Sequence, residues 1–472
     1  MCWVLQTEWV SRVSKDFRID DEYIFGILER GRSVSDEYIG KILFRAEMLA
    51  GLSHADVAAL LTTDKEGHWQ EIFKIAGDIK RRIYGDRVVM FAPLYVSDHC
   101  VNECVYCGFT AGNPRERRRL SMGELRGEVR VLEQMGHKRL ALEAGEDPEN
   151  CPMDYVLECI REIYAMKFES GEIRRVNVNL GASSEEDYRK LHSAEIGTYI
   201  LFQESYHRGT YEAAHLSGPK ADYDYHLSAF DRAMRAGLDD VGGGVLFGLY
   251  DYAFEVLGLM LHNEHLERQY GAGFHTISVP RIRKAEGSVG TEYQHAVSDE
   301  QFARLVAVIR LAVPYTGIIL STRETPEIRK ALINAGVSQV SAGSRTSVGG
   351  YSAHDDSYGQ FSTADRRDIG EVVRWLMDEG FVPSFCTACY RQGRTGDRFL
   401  ELAKSGEIRN VCVPNALLTL KEYALDYGDE SFGEKADALI DRVLTGFDDV
   451  RSKAVILKNL ERLERGERDV FL

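Results

Sequence analysis

The chain has 472 residues with 58 Lys and Arg against 74 Asp and Glu, and is 44% hydrophobic and 28% charged, the composition of a globular protein rather than a disordered or collagen-like one. A net charge of −16 argues against a phosphate-backbone partner, so no nucleic acid is expected. Glu8 interrupts what would have to be the apolar core of a signal peptide, and no run of about 18 uncharged apolar residues follows, so no membrane partner is expected and the chain reads as cytoplasmic.

At this length one core stops growing, and a large domain with appended segments is expected. Residues 1–85 hold the amphipathic stretches EYIFGILERGR, DEYIGKILFRAEMLAGL and HWQEIFKIAGDIKRRIYG, with apolar residues three and four apart, which predict a helical extension. From residue 88 short β-rich runs alternate with helical ones: VVMFAPLY, RLALEAG, RVNVNLG, TYILFQES, VGGGVLFG, HTISVPR, GIILSTR and VSAGSR. Capping boxes are read at Ser121 with Glu124, Ser183 with Glu186 and Ser298 with Gln301.

Eight strand–helix units over about 290 residues predict an α/β fold, a closed (β/α)8 TIM-type barrel spanning 86–379, with an open doubly wound sheet as the alternative. Residues 380–472 are charge-rich and helical in pattern, with no low-complexity linker before them. They predict a mostly helical C-terminal domain docked on the barrel.

Nine cysteines are too few for a disulfide scaffold, and in a reducing compartment clustered thiols point to metal or redox chemistry. Directly after the first strand run stand Cys100, Cys104 and Cys107, a C-x-x-x-C-x-x-C loop with Tyr106 before the third thiol. Three thiolates on one loop suit a cubane cluster with one open iron, whereas a zinc site normally takes four ligands built from pairs. The end of a barrel strand is also where barrel enzymes keep their active sites. Cys386 and Cys389, with Cys412 farther on, form a second triad, for which a zinc site completed by a distant histidine is the alternative. Cys2, Cys151 and Cys159 have no such partners and read as ordinary thiols.

The first triad is the signature of the radical S-adenosylmethionine (SAM) superfamily. The resemblance implies a 4Fe-4S cluster whose open iron is chelated by SAM. The strand end Glu143-Ala144-Gly145-Glu146 resembles the superfamily's Gly-Gly-Glu segment, which places Ala144, Gly145 and Glu146 beside the methionine amine.

The first triad together with CTACYRQGRTGDRF and CVPNALLTLKEY resembles one family over nearly the whole chain, the tyrosine lyase maturase of the iron-only hydrogenase (HydG). The resemblance implies cleavage of the Cα–Cβ bond of L-tyrosine to p-cresol and dehydroglycine, and conversion of the fragment to carbon monoxide and cyanide. A second, auxiliary iron-sulfur cluster with an extra labile iron would be held by Cys386, Cys389, Cys412 and His275, with His262 and His265 as fallback ligands. An electron donor such as ferredoxin or flavodoxin and other hydrogenase maturases are the implied partners. The thiazole-biosynthesis tyrosine lyase shares the barrel but lacks the second triad, and a non-catalytic iron-sulfur carrier is the other alternative.

Strand-end polar residues supply substrate candidates. Arg323 offers a guanidinium fork for an amino-acid carboxylate, with Ser321 beside it. Glu204 is assigned loosely to SAM, and Asn177, Asn179, Gln203, Ser344 and Arg345 are weaker candidates. Chain direction puts the first triad at the top of the barrel, and the second with His275 at the bottom, roughly 20 to 25 Å away. A fragment passing between them would need an internal passage along small or polar residues such as Gly242, Gly244, Thr276 and Ser278.

Overall fold

Eight parallel strands close on themselves in the computed structural model, which describes residues 17–283, 285, 287–288, 293–354, 359–446 and 450–472. They are β1 (Arg87–Ser97), β2 (Arg139–Ala144), β3 (Arg175–Asn179), β4 (Tyr199–Ile200), β5 (Val241–Gly244), β6 (Thr276–Ser278), β7 (Gly317–Leu320) and β8 (Gln339–Ser341). Each pairs with the next, β8 pairs with β1, and β1 pairs with β2, so the sheet has no free edge among these strands. The open doubly wound alternative is thereby excluded, and the fold is the (β/α)8 barrel.

A ninth strand, β9 (Val382–Ser384), lies parallel to the first three residues of β1, with Arg87 opposite Val382 and Val89 opposite Ser384. β2 meets β1 only from Ala92 upward. The segment beyond residue 380 therefore begins as an addition to the lower rim of the barrel sheet.

Local sequence explains the helix starts. Ser121 and Ser298 form the expected capping boxes with Glu124 and Gln301. The expected box at Ser183 and Glu186 is not formed. The helix Glu185–Ser193 is capped one residue later by Ser184, whose hydroxyl accepts from the Asp187 amide, while the Ser183 amide donates to the Tyr188 hydroxyl at 2.9 Å.

The N-terminal helices fold onto one side of the barrel through buried Trp69, Ile72, Ile79 and Ile83, and the Tyr84 hydroxyl donates to the carbonyl of Tyr315. At the barrel bottom the long helix Ile408–Tyr427 is fastened by buried ions. Arg174 pairs with Glu422, and Lys138 donates to the Tyr427 hydroxyl at 2.8 Å. No helix among the described residues is long and apolar enough to cross a membrane.

Candidate active site

The inward side chains of a barrel strand alternate, and at the upper end of this barrel they leave a cavity of about 180 Å³. Cys100 and Cys107 form part of its wall, with Tyr106, Ala144, Gly145, Glu146, Glu204, Ser321 and Arg323. Of the weaker strand-end candidates, Asn179 and Ser344 also border this space, whereas Asn177, Gln203 and Arg345 do not. Cys104 is buried just behind, in a bridge to His215.

The cysteine loop is held by backbone contacts that explain the Glu-Ala-Gly-Glu strand end. The Gly145 amide donates to the Ser97 carbonyl at 2.9 Å, and the Val101 amide donates to the Glu146 carbonyl at 2.9 Å. A Cβ on Gly145 would lie 2.2 Å from the carbonyl oxygen of His99, so only glycine allows the strand end to approach the loop. Ala144, where the superfamily pattern has its first glycine, sits without such a clash on the cavity wall.

Around this loop, the Arg117 guanidinium donates to the carbonyls of Asp98, Phe109, Thr110 and Asn113, fixing the turn after the third thiol. Asn102 donates to Glu146 at 2.7 Å, and burial raises the Glu146 carboxyl despite that bond. Tyr106 is fixed by a 2.8 Å hydrogen bond with His215. Glu204, in the left-handed region at φ 64°, pairs with Lys220 at 2.6 Å. Burial pushes the Cys107 thiol up to about 11. A thiol in that state binds a metal only as its thiolate, the proton being released to solvent as the metal binds.

Arg323 reaches into the cavity over the ring of Phe361, 3.5 Å from the ring centroid, and its Nε has no hydrogen-bond partner. Ser321 lies beside it, its hydroxyl accepting from the Arg323 amide at 3.4 Å. A guanidinium on the cavity wall whose Nε is without a partner among the described residues suits a carboxylate ligand.

The second triad lies at the other end. Cys386 follows Ser384, which is level with Val89, whereas Cys100 follows Ser97, about eight β1 residues higher and roughly 25 Å along the strand before tilt. Cys389 and Cys412 share a side-chain hydrogen bond that lowers the Cys412 thiol to about 7 and holds Cys389 well above its ordinary value. Cys386 donates no such bond, but its carbonyl accepts from Arg139 at 2.8 Å. The ring of His275 stacks on Phe399 at 4.1 Å, and its Nδ1 is tied to Asp240 at 2.5 Å, which leaves Nε2 as the ring nitrogen outside that bond. Its ring also faces that of Tyr390, the residue after Cys389, at 6.2 Å between centroids.

The fallback histidines do not join it. His262 is packed against Tyr206, Phe230 and Phe274, and His265 pairs with Asp231 at 2.8 Å. Among the described residues no three His, Cys, Asp or Glu side chains converge as for a single metal ion. The donor sets are three thiols on one loop and three thiols with an imidazole in the same region, soft donors of the kind that iron-sulfur clusters take. Cys151 and Cys159 are free thiols apart from both groups, and Cys2 lies outside the described residues.

The expected passage is only half open. Ser278 lines the cavity, but Gly242, Gly244 and Thr276 do not. A Cβ on Gly242 would lie 2.5 Å from the Thr276 hydroxyl, and one on Gly244 would lie 2.6 Å from the Phe202 ring. These glycines admit neighbouring side chains instead of leaving space. Residues the sequence reading did not single out for the site are Tyr95, Asn102, Glu143 and Lys220. Tyr95 and Glu143 share the inward alternation of their strands, which is a usable signal, whereas Asn102 and Lys220 are recognisable only from the folded arrangement.

The sequence matches the family model of the radical SAM superfamily over residues 94–256, and that of the biotin and thiamin synthesis associated domain over residues 278–382. It is 31% identical to the 2-iminoacetate synthase of Escherichia coli over 340 residues, covering 72% of this chain and 88% of that protein. It is similar to the crystal structure of HydG, a maturase of the FeFe-hydrogenase, at a TM-score of 0.94 and 51% identity over 96% of this chain and 99% of that one. The X-ray structure of HydG from Carboxydothermus hydrogenoformans matches at a TM-score of 0.82 and 37% identity, over 93% of this chain and 97% of that one.

Proposed function

Given that the chain belongs to the HydG family of the radical SAM superfamily, we propose that it cleaves the Cα–Cβ bond of L-tyrosine to p-cresol and dehydroglycine at the top of the barrel. The fragment is then converted to carbon monoxide and cyanide at an auxiliary iron-sulfur cluster at the bottom, for assembly of the hydrogenase active site. The observation that carries this reading is the separation of two cysteine triads by the length of one barrel, with an unpaired guanidinium in the cavity next to the first.

As a radical SAM protein the chain takes a 4Fe-4S cluster and SAM. Cys100, Cys104 and Cys107 would hold the cluster, and Tyr106, Ala144, Gly145, Glu146 and Glu204 border the space for SAM. When bound, the pair supplies one-electron cleavage of the sulfonium to a 5′-deoxyadenosyl radical.

The protein's own part is to bind, orient and keep out water. Arg323 and Ser321 take the substrate carboxylate, and the apolar wall of Phe91, Pro93, Ile200, Phe202 and Ile319 excludes solvent from a reactive intermediate. At the bottom, Cys386, Cys389 and Cys412 would hold the auxiliary cluster, and His275, oriented by Asp240, the extra iron. A ferredoxin or flavodoxin would supply the electron, and further maturases would receive the product.

The test is anaerobic reconstitution with iron and sulfide, followed by tyrosine, SAM and reductant. The double variant Cys386→Ser, Cys389→Ser is expected to release p-cresol and form no carbon monoxide, while replacement of Cys100, Cys104 or Cys107 abolishes both. Undiminished carbon monoxide from the double variant overturns the division of labour. A wild-type protein that stops at glyoxylate is a thiazole-type lyase, and one that forms no product is an iron-sulfur carrier.

A further inference from the structure

The cavity wall carries five charged side chains, Glu143, Glu146, Glu204, Lys220 and Arg323, whose pairing differs. Lys220 and Glu204 neutralise each other at 2.6 Å. Arg323 and Glu143 form no ion pair among the described residues, although each faces the same space. Glu143 sits on β2 with Tyr95 of β1 and Asn179 of β3 opposite it in register. Its Oε2 accepts from the Asn179 amide at 3.2 Å, and the Tyr95 hydroxyl lies beside it. Both of these partners are neutral. A carboxylate lifted out of water and bonded only to neutral donors is costly unless a cation joins it.

With Glu146 bonded to Asn102 and assigned to SAM, Glu143 and Arg323 are the anion and the cation left without an ion pair among the described residues, the complement of a zwitterion. Resting on the reading above that tyrosine is the substrate, we infer that Glu143 is the binding residue for the substrate's ammonium group, as Arg323 is for its carboxylate. Both groups line the one cavity, Glu143 at the upper end of β2 and Arg323 just beyond the upper end of β7, so the two ends of one α-amino acid backbone can face them together. The phenol is left for the remainder of the cavity. Burial pushes the Glu143 carboxyl up to about 7, with Arg323, Tyr95 and Asn179 pulling the other way, and a ligand ammonium beside it would favour the charged form further.

Binding is measured on the anaerobically reconstituted holoenzyme with SAM and without reductant, so that no turnover occurs. Equilibrium dialysis compares three ligands: tyrosine, 3-(4-hydroxyphenyl)propanoate, which lacks the amine, and phenylalanine, which lacks the phenol. Wild-type protein is expected to prefer tyrosine to the amine-free analogue by about tenfold or more, the scale of one charge-assisted contact. Glu143→Gln is expected to erase that preference while leaving the tyrosine-to-phenylalanine ratio unchanged.

Equal weakening of tyrosine and the amine-free analogue, or a collapse of the tyrosine-to-phenylalanine ratio, overturns the assignment and makes Glu143 a partner of the phenol. Undiminished tyrosine binding by the variant overturns it as well. Glu143→Met, which also removes the charge, carries the same comparison if the glutamine variant does not fold, iron content and SAM binding reporting the fold. Wild-type protein that binds no tyrosine refutes the substrate reading itself, an outcome separate from failure of the Glu143 assignment.

Discussion

Arg139, the first residue of β2, donates to the carbonyl oxygen of Cys386 at 2.8 Å and to the side chain of Gln339 at 3.4 Å. One guanidinium therefore ties the floor of the barrel interior to the second triad. It also lies over the ring of Tyr390, 5.3 Å from the centroid, and Arg175 lies over the same ring at 4.8 Å. The short segment that carries Cys386, and Cys389 in the one-turn helix Ala388–Arg391, is thus tied to the barrel by two guanidinium groups.

Arg139→Met removes the charge-assisted bond and leaves a buried carbonyl without its donor, a loss of about 1.5–3 kcal/mol in the positioning of that segment. Iron bound at the second triad is expected to fall, and carbon monoxide with it, while p-cresol formation persists. Electron paramagnetic resonance of the reduced protein separates the two clusters. Equal loss of both signals would mean that Arg139 supports the barrel as a whole.

His275 gives a second test of the same end of the molecule. Asp240 holds Nδ1, which fixes the tautomer and presents Nε2. His275→Ala is expected to lower bound iron by about one atom's worth of site occupancy and to reduce carbon monoxide, with tyrosine cleavage retained. Asp240→Asn should give the same pattern in weaker form, because the imidazole remains but loses its orientation. If both variants lose thermal stability and every activity together, His275 is only a packed residue between Phe399 and the barrel.

The parts of this molecule that were legible in the sequence are those whose signals are local. Alternating β-rich runs and capped helices follow from periodicities of two and 3.6, and both triads from spacing along the chain. Placement of the triads at opposite ends follows from strand direction alone. β9 was not legible because three residues containing Pro383 carry no periodicity, and pairing with Arg87–Val89 is a tertiary event. The interior glycines misled for a related reason. A glycine in sequence looks like empty space, but beside Thr276 and Phe202 it is the room those side chains occupy. Lys220 and Glu143 are charges whose meaning lies in what they face, and no spacing rule encodes that.

Lys80 is a charge with no evident use in the chemistry, and its burial yields a stability prediction. It is 1% exposed on the helix Glu66–Tyr84, its Nζ has no hydrogen-bond partner, and it lies over the Phe381 ring at 4.5 Å from the centroid. Burial lowers its amine from 10.5 to about 7; Asp86 opposes this, while Arg310, Arg81 and Arg87 add to it. The unfolded chain keeps its proton up to the ordinary value, so between about 7 and 10.5 the unfolded state binds more protons than the folded one. Stability from this group therefore rises with pH across that window, and below about 7 the folded state carries the full penalty of a buried unpaired charge. Lys80→Met keeps the length and apolar stem of the side chain and removes the charge. It is expected to raise stability at pH 7 by about 1–3 kcal/mol, on the scale measured when buried charges give way to apolar residues. At pH 9 the gain should be smaller, because the wild-type amine is then neutral. Calorimetric melting of both proteins at the two pH values checks this: a variant that melts no higher than wild type at pH 7, or gains equally at both, shows that the Lys80 amine has a partner in solution.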